Sequence, residues 1–301
     1  MASEKIQLRK VRNFSDALND ILQFLKQEFR PLLRSFFLIC GIFILAAGVL
    51  NGLYSRGFSG IWSSIINGTS YDEYDSLSTV YSPFYFLTIF FSLLTQMIVY
   101  GVVACYLKLY EQNGNTSPNL DEVWTVFRKN ILYLVFYGLI LGILVGLGFI
   151  LCLFPGFYLY TVFAPFGFIV VVEEDKSLGS IFGRCFVLIK ENFWPSLGLY
   201  VLSGFIYTSC ASIIGIVVGG ITGLLSYFTT KDIGFVSAMF MGIVQVFSSA
   251  FSILLYLAIG IQYFSLEEKS NGTGLMTRIQ NMDNGFNTGD DEDRATTFIK
   301  D

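Results

Sequence analysis

The sequence of 301 residues contains no histidine. This absence removes the commonest general base, the commonest zinc ligand and the usual partner of a catalytic serine or cysteine. The sequence also has no GxxxxGK[ST] phosphate loop and no GxGxxG motif after a strand, and its five cysteines include no CxxC pair. We therefore expect no enzymatic activity, no metal and no cofactor.

Charged residues are scarce as well, at 14% of the chain, whereas a soluble domain has about a quarter. Hydrophobic residues reach 53% and form six apolar runs that can cross about 30 Å of hydrocarbon as helices. The sequence predicts an all-α integral membrane protein with six transmembrane helices, the fourth interrupted by Pro165. These spans lie near residues 31–54, 83–107, 131–154, 157–172, 196–222 and 237–264.

The lysines and arginines fall almost entirely in one set of connecting segments, and only Arg56 and Lys231 lie in the other set. Because basic residues mark cytoplasmic connections, we expect both termini in the cytoplasm. The net charge of −4 comes mainly from the acidic tail, residues 273–301, which we expect to be flexible unless a partner binds it. This charge pattern does not indicate a nucleic-acid partner.

A short phrase occurs twice, as LKQEFRPLLRSF from Leu25 and as IKENFWPSLGLY from Ile189. In each copy an amphipathic pattern with helical spacing precedes the phrase, and Asn13 or Ser177 stands before the pattern as a candidate N-cap. We expect Pro31 and Pro195 each to end an amphipathic helix and to open a transmembrane helix.

A third, weaker copy begins at Asn119. The sequence therefore predicts three parallel repeats, each an interfacial amphipathic helix followed by a transmembrane hairpin, at about 13–110, 119–173 and 177–268. Together they form a six-helix membrane domain, residues 1–272. Each amphipathic helix lies either on lipid or on the protein's own helices, and the pattern does not distinguish these alternatives.

Glycines recur at four-residue spacing within two predicted spans. Such spacing lets helix backbones approach closely in a membrane. We expect this approach within the chain, between spans 3 and 5, and contact between subunits is the alternative. The glycines are Gly142, Gly146, Gly215, Gly219 and Gly223. The neutral polar residues Gln96 and Gln245 are expected to form hydrogen bonds between helices.

Two further sets of residues are candidates for specific contacts. Arg184 is expected to pair with Glu173 or Glu174 and so to hold the third amphipathic helix in place. The segment 55–82 is long for a hairpin loop, and it is either a partner-binding surface or an interfacial cap. Its candidate partner contacts are Trp62, Tyr71, Asp72, Glu73, Tyr74 and Asp75.

The stretch PFGFIVVVEEDKSLGSIFGRCFVLIKENFWPSLGLY resembles bacterial membrane proteins related to the membrane domain of glycerophosphodiester phosphodiesterases. In that group acids end a span, and a helix with an Arg-Ser pair leads to Lys-x-x-Phe-Trp. Here Cys185 stands in place of the serine. The N-terminal segment and the stretch after span 6 are similar to a Bacteroidota branch of the group. The resemblance implies a bacterial cytoplasmic membrane protein, without the phosphodiesterase barrel.

The sequence favours a non-enzymatic scaffold or accessory subunit of a larger envelope or protein-export assembly. Its expected partners are membrane lipid and other membrane proteins. An uncoupled carrier or permease for a lipid or small apolar solute is the alternative. A membrane enzyme acting on lipid headgroups is a second alternative, and it would use Glu173, Glu174, Asp175 and Arg184.

Overall fold

The computed structural model describes residues 5–67, 83–229 and 233–272, with side chains omitted at 55–67, 84, 222–223, 225–229, 233–239 and 241. Within these ranges every regular element is an α-helix. They are α1 Phe14–Asn67, α2 Pro83–Gln112, α3 Leu120–Leu151, α4 Leu153–Phe163, α5 Phe166–Val172, α6 Leu178–Lys190, α7 Phe193–Thr229 and α8 Ile233–Asn271.

Among the described residues, six helical stretches are long and apolar enough to span a membrane, with α4 and α5 forming one of them. The all-helical, multi-pass architecture predicted from the sequence is confirmed. The predicted interruption at Pro165 is present, because α4 ends at Phe163 and α5 begins at Phe166. The acidic tail 273–301 lies outside the described residues.

The two prolines of the repeated phrase do not behave alike. Pro195 lies in the first turn of α7, and α6 is a separate helix before it, as predicted. Pro31 lies inside α1, so the prediction that it ends a helix is wrong. A proline within a helix destabilises it by about 3 kcal/mol. The helix continues past Pro31 because side chains on both sides of it are buried. Phe24 is 0% exposed and Leu32 is 1% exposed.

The core lies where the even-numbered spans end. Residues 98–107 of α2, most of α5 and residues 257–268 of α8 are buried. They meet at Gly260, where an added Cβ would lie 2.4 Å from Cδ1 of Leu107 and 2.6 Å from Cζ of Phe168. The absence of a side chain at Gly260 therefore allows three spans to converge.

Spans 3 and 5, which are formed by α3 and α7, lie at the periphery. Only 22% of the most apolar stretch of α3 and 6% of that of α7 is buried. The prediction that these two spans meet through their glycines is wrong. A Cβ on Gly142, Gly146, Gly215 or Gly219 would have no atom within 4 Å among the described contacts, and the side-chain environment of Gly223 lies outside the described residues.

The close approaches of helix backbones occur at other glycines. An added Cβ on Gly48 of α1 would lie 3.2 Å from the carbonyl oxygen of Gly242 in α8. A Cβ on Gly148 of α3 would lie 3.2 Å from Cα of Gly156 in α4. None of these four glycines belongs to the four-residue pattern, so that spacing does not identify the packed positions.

The three amphipathic segments bury the same part of their helical pattern, with spacing i, i+4, i+7. These buried residues are Ala17, Ile21 and Phe24 in α1, Val123, Phe127 and Asn130 in α3, and Ile181, Cys185 and Leu188 in α6. Neighbouring apolar side chains stay exposed, including Leu22 at 49%, Trp124 at 47% and Phe186 at 38%. Each segment thus packs on the protein with one part of its apolar face and leaves another part open.

Candidate functional site

The most elaborate polar contacts lie where α2, α5 and α8 end. We define the exit cluster as Arg9, Glu111, Glu173, Arg184 and Glu267. Local sequence positions its central pair. The backbone of Glu173 turns extended after α5, and the Ser177 side chain accepts a hydrogen bond from the Ser180 N–H, so that α6 starts there. This short connection brings Arg184 back over Glu173.

Arg184 bridges two acids from different spans. Its Nε lies 2.9 Å from Oε1 of Glu173, and its Nη2 lies 2.7 Å from Oε2 of Glu267. The predicted pairing with Glu173 is present, and Glu174 is an exposed side chain. The second partner, Glu267, was not predicted. Its only sequence signal was that all even-numbered spans end near a glutamate.

The electrostatics of Arg184 suit a structural role. Burial lowers the pKa of its guanidinium, but the hydrogen bond from Arg184 to Glu173 and the charges of Glu267 and Glu173 outweigh burial and raise the pKa above its ordinary value. A basic group whose pKa is raised on folding stabilises the folded protein at every pH below the ordinary pKa of that group. The guanidinium therefore stays charged at neutral pH and acts as a clamp, because it does not release its proton there.

The N-terminal segment adds a second clamp that sequence reasoning did not find. Arg9 Nε lies 2.7 Å from Oε1 of Glu111 at the end of α2. The Arg12 N–H donates to the Ser265 hydroxyl in α8, and the Arg12 side chain pairs with Asp20 at 2.7 Å. Leu8, next to Arg9, is only 1% exposed. The segment therefore ties the ends of α2 and α8 together.

Other charged groups at this end of the bundle are also engaged. The Tyr106 hydroxyl donates to Glu28 at 2.5 Å, and Nζ of Lys108 donates to the carbonyl oxygen of Val171 at 2.6 Å. Lys176 donates to Oδ1 of Asn130. Lys108 and Lys176 are thus matched to acceptors of the chain itself, which stabilises the convergence of the spans.

A second feature lies about halfway along the spans. We define the mid-span cavity as the space of about 250 Å³ between α2, α3, α4, α5 and α8. Beside it, the Tyr100 hydroxyl donates to the Ala164 carbonyl oxygen at 2.7 Å and accepts from the Gly167 N–H at 3.1 Å. These are backbone groups next to the break at Pro165. Tyr100 thus supplies the hydrogen bonds that an interrupted membrane helix needs from its neighbours.

The neutral polar residues form the predicted bonds between helices. The Tyr256 hydroxyl donates to Oε1 of Gln96 at 2.8 Å, and Nδ2 of Asn51 donates to Oε1 of Gln245 at 3.3 Å. The candidate partner contacts cannot be placed in the same way. Trp62 lies in α1 with its side chain outside the described set, and Tyr71, Asp72, Glu73, Tyr74 and Asp75 lie outside the described residues.

The comparisons with known proteins add no relative. The chain matches no family model, no curated protein and no solved structure. Among the described residues, no group of three or more histidine, cysteine, aspartate or glutamate side chains could hold a metal ion. Functional conclusions therefore depend on the contacts, burial and charges of this chain.

Cysteine reactivity offers a direct test of how α6 packs. Burial and the charge of Glu173 raise the pKa of the Cys185 thiol to about 12, whereas Cys152 is exposed. Since the thiolate is the reactive form, we expect N-ethylmaleimide near neutral pH to modify Cys152 and to leave Cys185 unmodified in mild detergent. Peptide mass spectrometry measures both. Unfolding in SDS should expose both thiols, and equal labelling without SDS would contradict the buried position of Cys185.

Proposed function

We propose that the chain is a non-enzymatic scaffold or accessory subunit that binds other membrane proteins through α7. The observation that carries this proposal is the position of α7. Its described contacts are mainly with α8, and only 6% of its most apolar stretch is buried, whereas 61% is buried in the span formed by α4 and α5. Because α7 contributes so little to the core of this chain, its surface is available to bind another membrane protein.

The surface of α7 has the chemistry of a helix-packing face. Gly215 and Gly219 are one turn apart, and an added Cβ at Gly215 would meet no described atom within 4 Å. Ile216 and Val217 beside them are 74% and 54% exposed. In a bilayer, hydrophobicity alone does not drive helices together, so small residues that permit close van der Waals contact favour association. This face fits a transmembrane helix of a partner.

The charged residues at the end of the bundle support a structural role and not catalysis on lipid headgroups. The acids that a headgroup enzyme would use are Glu173, Glu174 and Asp175, with Arg184. Arg184 is held between Glu173 and Glu267 at 2.9 and 2.7 Å. Hydrogen bonds from the Ser177 N–H and from the hydroxyls of Ser180 and Ser177 lower the pKa of Asp175, which favours its ionised form. These groups serve the turn between α5 and α6.

We further propose that residues 13–110, 119–173 and 177–268 are three parallel units of one membrane domain, in the bacterial cytoplasmic membrane. The shared buried register of the three amphipathic segments supports this organisation. The distribution of basic residues supports cytoplasmic termini. The resemblance to the membrane-domain group supports a bacterial origin. The long segment 55–82 and the acidic tail 273–301 support an envelope or protein-export assembly as the setting.

An uncoupled carrier or permease is the second candidate, because the mid-span cavity lies among four spans. The packing at the end of the even-numbered spans opposes it. Leu107, Phe168 and Gly260 leave no room for an added methyl group where these spans converge. A route for a solute through this end of the bundle would have to separate α2, α5 and α8 where they pack together. Packed interiors resist such continuous deformation.

The proposal predicts that a bulky residue on the open face of α7 removes a partner. We expect the full chain, solubilised gently from its native membrane, to migrate with a constant set of other membrane proteins. Gly215→Leu should abolish this association, whereas Gly146→Leu, an equally open glycine on α3, should preserve it. Native gels with quantitative mass spectrometry measure the composition. A lone monomer, self-association only, or equal behaviour of both variants would contradict the proposal.

A further inference from the structure

The mid-span cavity has a closed floor and a partly open end. Its floor includes Tyr100, Phe166 and Ile259, which are 4%, 7% and 3% exposed. Gly142 of α3 and Tyr160 of α4 lie at the more exposed end. All of these residues lie well inside candidate spans, away from the exit cluster. A ligand here would therefore be enclosed by transmembrane helices.

The hydroxyls of Tyr256 and Tyr100 beside the cavity already have partners. The Tyr256 hydroxyl donates to Oε1 of Gln96, and the Tyr100 hydroxyl joins the Ala164 carbonyl to the Gly167 N–H. A polar ligand would have to break these bonds and leave buried groups unsatisfied, which is unfavourable. Apart from the Tyr160 hydroxyl and the Gln96 amide nitrogen, the remaining lining is apolar. The cavity therefore selects an apolar ligand.

The size of the cavity excludes a helix as the ligand. A helix with its side chains is about 10–12 Å wide, and a space of about 250 Å³ holds only a short piece of such a cylinder. Apolar cavities of about 150 Å³ in other proteins stay dry and bind molecules such as benzene. A single hydrocarbon chain is narrower than a helix and is apolar, so it meets the requirements of both size and polarity.

We propose that the mid-span cavity binds one acyl chain of a membrane lipid. The source of the ligand is adjacent, because Leu139 and Ile143 on the same helix as Gly142 are 38% and 65% exposed and face hydrocarbon in a membrane-spanning chain. Gly142 provides the entrance, since an added Cβ there would meet no atom of the described residues within 4 Å. The bound chain fills space between α3 and α8 and is a resident lipid, with no transport required.

The first test uses the unmodified full chain in nanodiscs with a phosphatidylethanolamine that carries a diazirine at the middle of one acyl chain. We expect photo-crosslinks on Leu141 or Ile259, which line the cavity and are each only 3% exposed. Bulk lipid around the protein does not reach these side chains. Crosslinks confined to exposed side chains such as Leu139 and Ile143 would overturn the proposal.

The second test compares two leucine variants of α3. Gly142→Leu places a side chain at the cavity, whereas Gly146→Leu adds the same side chain one turn later, outside the lining and equally without close contacts. Native mass spectrometry after detergent exchange measures retained lipid. We expect wild type and Gly146→Leu to keep one lipid and Gly142→Leu to lose it by at least about tenfold. Equal retention in all three, or none in wild type, would refute the site.

Discussion

Replacing Gly260 with alanine is expected to destabilise the fold by about 1–3 kcal/mol, the usual effect of overpacking a core. The new Cβ would lie 2.4 Å from Cδ1 of Leu107 and 2.6 Å from Cζ of Phe168. Both side chains are fully buried, so neither can move aside without displacing a neighbour. The higher helix propensity of alanine, worth up to about 1 kcal/mol, offsets only part of this strain. Denaturant titration in detergent measures the difference.

Gly215→Ala is the matched control for this substitution. An added Cβ at Gly215 would meet none of the atoms that the structure describes within 4 Å, so the gain in helix propensity should appear alone. We expect no loss, or a gain of about 0.5–1 kcal/mol. If the two variants were equally stable, the three even-numbered spans could not converge as closely as the structure indicates.

Arg184→Gln is expected to destabilise the protein by about 1.5–3 kcal/mol, the range for hydrogen bonds to charged groups. Glu173 and Glu267 would then face each other without the cation that now lies between them. The side chains of Arg184 and Glu173 are 24% and 23% exposed, so solvent screening places the effect below that of a fully buried pair. The expected signature is a lower denaturant midpoint.

Two further variants separate charge from simple loss of a side chain. Lys190→Gln removes an exposed cation from the end of the same helix, and we expect a change within about 0.5 kcal/mol. Adding Glu173→Gln and Glu267→Gln to Arg184→Gln removes the repulsion, so stability should partly recover. A triple variant less stable than Arg184→Gln would show that the acids do not depend on this arginine.

Interactions close in sequence could be predicted. Glu173 and Arg184 are eleven residues apart across one short connection, so their pairing needed only the helix boundaries. Ser177 was recognised as an N-cap because its chemistry acts within one turn. Pro31 was misread for the same local reason. Its effect depends on packing around Phe24 and Leu32, which residue type and spacing do not reveal.

Contacts distant in sequence could not be predicted. Glu267 is 83 residues from Arg184, and Arg9 is 102 residues from Glu111. The glycine spacing in spans 3 and 5 suggested packing that is not found at the four of these glycines that the structure describes, because the spacing describes one helix face and not its neighbour. The packed glycines, such as Gly260, occur without any repeat and were not distinguishable from other glycines.

The sequence by itself determined that this chain folds as helices suited to a membrane, since apolar content, run length and a shortage of charge are properties of each segment alone. It also indicated the interruption at Pro165, because the missing backbone donor of a proline weakens a helix. Pro31, inside an unbroken helix, shows that packing decides whether the helix ends. Only the tertiary structure decided which spans form the centre, which glycines are enclosed and which acids share Arg184. These outcomes arise from contacts between distant segments, and the free energy of such contacts depends on both partners at once.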